Sequence, residues 1–487
     1  MKALILPISL LLAVFASQPL SAFVSPPSLL SHRLLQKHRG APFLRQTTLS
    51  SSAVSAPPGV KQQEGVVEAA SDHEDLQREE SRKAGHYGYT YDDMKDMGPL
   101  EMAVPANGWR IGVWNFQREW LAIRRAIRYG DMAPESGWAN APGGDGPFAG
   151  LLNVLRQWDK NIEDVLATSF NVPRLTPSKV QHPTDEETIR LRQELSRLSL
   201  DDDGVIRREE ERVEKMKFLL EKYKDMDTSK YPADTGLEID LQTIQTYFNA
   251  PLLIKVPYLF LCWLLDRLYA GRPIQRFWTL ETVARIPYMS YISMLHLYET
   301  LGWWRVGVEV RRVHFAEEWN EMHHLFIMES LGGDQAWFDR FLARHAAIVY
   351  YWVVIFLFLI SPTWAYNFSE LVEWHATDTY AEFVEQNKDR LKRLPAPAVA
   401  LEYYNGGDLY LFDEFQSSRP AESRRPNIDN LYDVFVTIRD DELEHVKTMS
   451  ACQRLESAMK SPNAAAAAAG LAPWAEPDKE EEPAGAK

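Results

Sequence analysis

Between Leu241 and Leu455 apolar residues recur at helical spacing, and the pattern is punctuated at Gly271-Arg-Pro273, Gly332-Gly333, Ser361-Pro362, Pro395 to Pro397 and Asn405-Gly-Gly407. It predicts six helices: Leu241 to Tyr269, Ile274 to Leu301, Arg305 to Leu331, Asp334 to Ile360, Thr363 to Leu391 and Ile428 to Leu455. β-Branched residues are too scattered, and the segments too long, for a sheet. The class is therefore all-α.

Two stretches are more apolar than the rest, Pro251 to Leu265 and Ala346 to Ser369, the second carrying 24 residues without a formal charge. Its length alone would cross a bilayer. Ser361-Pro362, however, interrupts it after the apolar run, and Glu370 and Glu373 follow at once. Two half-length apolar helices with aromatic and basic edges predict a protein lying in one leaflet; buried core helices are the plainer alternative.

Upstream the pattern weakens. Residues 64 to 96 are charged and poor in apolar positions and read as a tether, whereas Trp109 to Ile127 and Gly143 to Trp158 read as helical pieces docked on a larger body. Thr184 to Asp227 is dense in Glu, Arg and Lys with Leu and Met at helical spacing, as in a solvated helical hairpin. Within it, Ser199 to Glu210 fits most of a calcium loop, with Asp201, Asp203 and Glu210 at ligand positions and Gly204 at the turn. Ser199 stands where an acid is expected, and the simpler reading is an acidic turn between two helices.

The first 63 residues contain no Asp or Glu but carry Lys2, Arg33, Lys37, Arg39, Arg45 and Lys61. Residues 1–22 have the charged start, short apolar run and small-residue end of a signal peptide, and residues 23–63 the basic, Ser- and Pro-rich composition of a transit peptide. That order, with Phe23 after the candidate cleavage site Ala22, resembles the bipartite leaders of secondary plastids. The competing reading is a secreted protein with a disordered linker. The expected organisation is thus a leader, an extension over 64–240, a helical bundle over 241–455, and a low-complexity tail over 456–487 with an alanine run and an acidic end.

Composition narrows the chemistry. The net charge of −15 disfavours nucleic acid, whose phosphates need a basic surface. Cys262 and Cys452 are too few for a disulfide framework or a four-thiolate metal site, so any metal must sit on His, Asp and Glu. Glu-x-x-His occurs at Glu321–His324 and at Glu442–His445, each inside an apolar helical pattern where an unpaired carboxylate is costly to bury. Residues i and i+3 share a helix face, so each pair can offer a carboxylate and an imidazole to one point. A ferritin-like four-helix bundle with a di-iron site needs one further Glu from each of two other helices. The candidates are Glu281 or Glu299, and Glu370 or Glu373; between His323 and His324 the i+3 rule favours His324.

Leu280-Glu281-Thr282, Asn320-Glu321-Met-His-His324, Glu373-Trp-His-Ala-Thr-Asp-Thr-Tyr380 and Arg439-Asp-Asp441-Glu442-Leu-Glu-His445 resemble the four iron-ligand motifs of the alternative oxidases, non-haem di-iron quinol oxidases. The resemblance runs from about Leu241 to Gln453. Glu299-Thr-Leu-Gly-Trp-Trp304, Leu394-Pro-Ala-Pro397 and Tyr403 to Phe415 resemble the plastid branch, the plastid terminal oxidases.

The resemblance implies two irons held by Glu281, Glu321, His324, Glu373, Glu442 and His445. It implies a quinol pocket at Arg276, Val372, Ala376 and Thr379, a tyrosine essential to activity at Tyr380, and ligand-orienting groups at Asn320 and Asp441. It further implies plastoquinol and dioxygen as substrates, monotopic attachment of two additional apolar helices to one thylakoid leaflet, no proton pumping, and a homodimer. His375 departs from the glutamate of mitochondrial members, as is usual in the plastid branch. Two rivals are a mitochondrial ubiquinol oxidase and a non-catalytic iron-binding membrane-associated bundle.

Overall fold

The computed structural model describes residues 84–87, 106–129, 149–176, 186–200, 204–225, 239, 241–304, 308–405 and 425–454. The leader, Asp201 and Asp203 of the candidate calcium loop, residues 406–415 of the plastid-branch motif and the tail lie outside them. Among the described residues there are twelve helices, and the one β-bridge is isolated, between Gly85 and Pro397. In chain order they are α1 (Gly108–Tyr129), α2 (Ala149–Phe170), α3 (Glu186–Leu195), α4 (Gly204–Lys222), α5 (Leu241–Phe248), α6 (Leu252–Leu268), α7 (Pro273–Thr300), α8 (Val308–Ser330), α9 (Trp337–Ile360), α10 (Pro362–Leu391), α11 (Ala398–Asn405) and α12 (Leu431–Ala451).

The chain divides into two compact units, residues 1–81 with 161–174 and residues 82–160 with 175–487. In the first, the described part is the end of α2 and the segment after it, where Arg174 pairs with Asp164. The second holds the bundle.

Five of the six expected helices match α7, α8, α9, α10 and α12 to within a few residues. The remaining one, Leu241 to Tyr269, is two helices, α5 and α6, bent by 92°. Pro251 is the cause: it disfavours helical backbone at Ala250 and lacks the N–H that a continuous helix would need. Helix ends elsewhere follow their local chemistry. Asn430 accepts from the backbone of Tyr432 and Asp433 while Asp433 accepts from the Asn430 N–H, a reciprocal cap on α12. The Ser361 hydroxyl caps α10 ahead of Pro362.

In the bundle α10 packs along α12 and α7 along α8, with α11 against α8. Phe277, Tyr380, Phe383, Phe435 and Tyr403 belong to the main core, and a second cluster joins α4, α5, α6 and α10. The charged insert is therefore not the solvated hairpin expected from its composition. It does form α3 and α4, but Leu191, Leu195 and Leu198 enter the main core, and Arg208 and Arg212 are buried. Composition conceals this because a long side chain can bury its head group wherever acids wait for it, as Asp266 and Asp378 do here.

Helix α9 alone among the described helices is long and apolar enough to cross a membrane, with α5 and α6 qualifying only if taken as one bent span. It is mostly unburied, exposing Ile348, Val349, Trp352, Val353 and Phe356, and α6 exposes Leu252, Leu253, Val256, Phe260 and Trp263.

The turn from α8 to α9 depends on backbone freedom. Gly332 has φ +87°, and a Cβ on Gly333 would sit 2.5 Å from the Trp278 side chain and 3.0 Å from the Ile274 and Met328 carbonyls. Gly333→Ala should therefore lower stability by roughly 1–3 kcal/mol, visible as a reduced thermal midpoint in circular dichroism.

Candidate metal centre

Four helices deliver six side chains to one buried place: Glu281 from α7, Glu321 and His324 from α8, Glu373 from α10, and Glu442 and His445 from α12. Each pair in a Glu-x-x-His motif lies one turn apart, so both members face the bundle axis. The donors form two overlapping groups, Glu281, Glu321, His324 and Glu442, then Glu321, Glu373, Glu442 and His445, with the ligand atoms of each group within 4.8 Å of one another. Glu321 and Glu442 are common to both. The arrangement could hold two metal ions, with Glu281 and His324 in one group, Glu373 and His445 in the other, and Glu321 and Glu442 within reach of both.

The donor atoms have few other partners. Glu281 Oε2, both oxygens of Glu321, His324 Nδ1, Glu373 Oε2 and Glu442 Oε1 are buried and form no hydrogen bond among the described residues. Such groups are costly unless something else satisfies them. Carboxylate and imidazole donors suit first-row transition metals such as iron, so the residues fit the di-iron group that the sequence resemblance implies.

Protonation follows the same geometry. Burial, reinforced by Glu321 and Glu442, drives the Glu281 carboxyl far above its usual range. Burial and the neighbouring Glu442 do the same to Glu373. Burial would raise Glu321, but the imidazoles of His445, with Nδ1 at 3.0 Å, and of His324, at 3.7 Å, hold it low. Both imidazoles are driven up, acidic and hydrogen-bonding neighbours overcoming their desolvation.

The outer faces of these ligands are anchored. His324 Nε2 lies 3.2 Å from Asp441 Oδ2, which leaves Nδ1 turned toward Glu442 at 3.1 Å. The same Asp441 oxygen accepts from Asn320 Nδ2 at 3.1 Å and from the Tyr404 hydroxyl at 3.1 Å, and Asn320 also donates to Tyr403. Tyr288 donates to Glu373 Oε1 at 2.8 Å, and Tyr380 donates to Glu281 Oε1 while its ring stacks on Phe277. Tyr288 and the α11 pair Tyr403 and Tyr404 were not assigned these partners from the sequence. Only Tyr403 and Tyr404 had a signal, as the first residues of the plastid-branch motif.

The alternatives left open by spacing go elsewhere. Glu299 pairs with Arg311 at 2.5 Å, and His323 bonds the Trp319 carbonyl at 2.8 Å and stacks on Tyr403. The Glu370 carboxylate accepts from Thr246 at 2.9 Å and Gln453 at 2.6 Å. Glu210 is an exposed residue of α4.

Of the four candidate quinol residues, Arg276 and Thr379 are buried and Val372 and Ala376 are half-buried. The Thr379 hydroxyl donates to the His375 carbonyl at 2.6 Å. Arg276 Nη2 lies 2.6 Å from Asp266 Oδ1 and 3.1 Å from His375 Nε2. Burial and the arginines Arg276, Arg208 and Arg212 keep His375 neutral, so its Nε2 can accept from Arg276. Asp266 was seen in the sequence only as the end of an apolar stretch.

Two outcomes follow. Asp441→Ala removes the acceptor that orients His324 and should weaken metal binding about 10- to 100-fold, read as metal retained per chain against a graded chelator. Burial raises Glu370 to about 7 from an ordinary 4.5, so between those values the folded state holds a proton that the unfolded chain releases. Its stabilising contribution is present at low pH and declines as pH rises through that window. Glu370→Gln should flatten the fall in thermal midpoint from about pH 5 to about pH 8, with metal content unchanged.

A model of the alternative oxidase family matches residues 260–454. Over 200 residues the chain is 59% identical to "Ubiquinol oxidase 4, chloroplastic/chromoplastic" of Arabidopsis thaliana, covering 41% of this chain and 56% of that protein. It is 26% identical over 219 residues to "Ubiquinol oxidase 1a, mitochondrial" of Arabidopsis thaliana, covering 44% and 55% of the two. With "Ubiquinol oxidase 1b, mitochondrial" of Oryza sativa subsp. japonica it shares 28% identity over 167 residues, 34% of this chain and 44% of that one. The chain thus spans about half the length of the curated relatives it matches, and no solved structure matches it. Residues 260–454 thus match the alternative oxidase family.

Proposed function

We propose that this protein is a quinol oxidase of the plastid, oxidising two plastoquinols while reducing one dioxygen to two waters. The observation that carries the reading is the buried set of four glutamates and two histidines, in a chain whose similarity to a chloroplastic quinol oxidase far exceeds that to mitochondrial ones. The chloroplastic relative is named for ubiquinol; the plastoquinone head group is supported by that relative's chloroplast address together with the transit-like leader over 23–63.

Two irons at Glu281, Glu321, His324, Glu373, Glu442 and His445 would supply the redox centre that passes electrons from quinol to dioxygen. The protein's own groups do the rest. Glu321 and Glu442 are shared between both positions, and a carboxylate can change its mode of binding as charge at the centre changes. Asp441 holds His324 in the tautomer that leaves Nδ1 free as a donor atom toward the centre. Tyr380, which donates a hydrogen bond to Glu281, would be the catalytic tyrosine beside the centre. Arg276 and Thr379, flanked by Val372 and Ala376, would receive the quinol oxygens.

The exposed apolar sides of α6 and α9 would seat the bundle in one leaflet of the thylakoid, giving a membrane-dissolved quinol direct access and no path for proton pumping. We extend the reading to a homodimer and to the boundaries 1–22 signal, 23–63 transit, 64–240 extension, 241–455 oxidase and 456–487 tail. The released energy becomes heat, which suits a role in relieving an over-reduced quinone pool or in supporting carotenoid desaturation.

The test is oxygen uptake by the iron-loaded protein with decylplastoquinol. Uptake should persist in cyanide, stop with propyl gallate, and fall at least about 100-fold in Glu442→Ala at matched folding. A folded, iron-loaded parent that consumes no oxygen would leave an iron-storing bundle instead.

A further inference from the structure

Helix α4 lies outside the segment that matches the family, yet two of its arginines enter the bundle. Arg208 and Arg212 are one turn apart and are each about 95% buried. Arg212 grips α10 through Asp378 at 2.6 Å and the Trp374 carbonyl at 3.3 Å, and reaches the Tyr258 hydroxyl at 3.2 Å. Arg208 Nη1 lies 3.0 Å from Glu382 Oε2, and its Nη2 lies 2.9 Å from Asp266 Oδ1.

That last oxygen has a second claimant. Arg276 Nη2 approaches Asp266 Oδ1 to 2.6 Å, and Asp266 Oδ2 accepts the backbone N–H of Val205, at the start of α4, at 2.8 Å. One carboxylate therefore caps α4 and divides one oxygen between two guanidiniums. Arg276 itself is 2% exposed, and its Nε donates no hydrogen bond among the described residues, so the group retains donor capacity for a ligand.

We infer that Arg208 is a positioning residue for Arg276, acting through Asp266 and setting how firmly the quinol-binding arginine is held; this rests on the quinol reading above. In a low-dielectric site, a carboxylate shared by two guanidiniums holds each less tightly than it would hold one. Without Arg208, the full attraction of that oxygen falls on Arg276 and draws it toward α6, away from the substrate. A lysine at 208 keeps the charge but has no planar fork to span Asp266 and Glu382 together.

The experiment uses the full iron-loaded chain, with KM and kcat for decylplastoquinol, the equilibrium Kd of decylplastoquinone for the oxidised protein, and iron content. Arg208→Gln should raise KM and Kd by roughly 3- to 10-fold, with kcat within about twofold and iron unchanged. Arg208→Lys should fall between that variant and the parent. Arg212→Gln, which loosens α4 without touching Asp266, should lower the thermal midpoint and leave KM and Kd at the parent values.

An Arg208→Gln protein with parent KM and Kd, where Arg276→Ala raises both, overturns the role of Arg208 and leaves the quinol reading standing. Parent values in Arg276→Ala overturn the quinol reading, and this inference with it. An equal rise in Arg212→Gln would assign the effect to helix docking and overturn the specific role. If Arg208→Gln does not fold, Arg208→Lys decides by the same two readouts.

Discussion

Four carboxylates and two imidazoles share one buried place, and the rest of the bundle is arranged around the cost of keeping them there. Like charges this close cannot all ionise in a medium of low dielectric. Burial drives Glu281 and Glu373 toward their protonated forms, while acidic neighbours favour charged imidazoles and the imidazoles favour an ionised Glu321. A metal pair would do the same work with cations in place of protons. Metal binding would thus be coupled to proton release at this site, because Glu281 and Glu373 must be anionic to bind and burial drives both toward the protonated form.

Rigidity is supplied from behind. Asp441 is the common acceptor of a histidine, an asparagine and a tyrosine, so one side chain on α12 fixes a ligand on α8 and ties both helices to α11. Tyr288 and Tyr380 hold the far oxygens of Glu373 and Glu281 in the same manner. Each ligand helix is therefore locked to a neighbour by a group that also restricts a ligand's rotation. This is why loss of Asp441 is expected to appear in metal retention more than in helix content.

The helices and the candidate ligands were legible because both are periodic: apolar spacing marks α7 to α10 and α12, and i, i+3 spacing marks the two Glu-x-x-His pairs. The choice of Glu373 over Glu370 was not available from spacing, since the two are one turn apart on the same helix. It is decided by what lies opposite, Thr246 and Gln453 for one and the ligand cluster for the other. The break at Pro251 was legible in principle and was missed because the apolar pattern runs through it. The partners of Asp441 and the burial of Arg208 and Arg212 are contacts between residues far apart in sequence, which no local pattern encodes.

Those arginines change where the folding unit begins. The match to the family starts at residue 260, and apolar periodicity sets in at Leu241, but Asp266, Asp378 and Glu382 in the bundle find their partners on α4. Removing α4 would strip Arg212 from Asp378 and Arg207 and Arg208 from Glu382, and would leave Asp266 with Arg276. Uncompensated charges of that kind are among the most destabilising changes a core can suffer. The charged insert, which composition marks as solvent-facing, is on this argument part of the folding unit that holds the candidate metal centre.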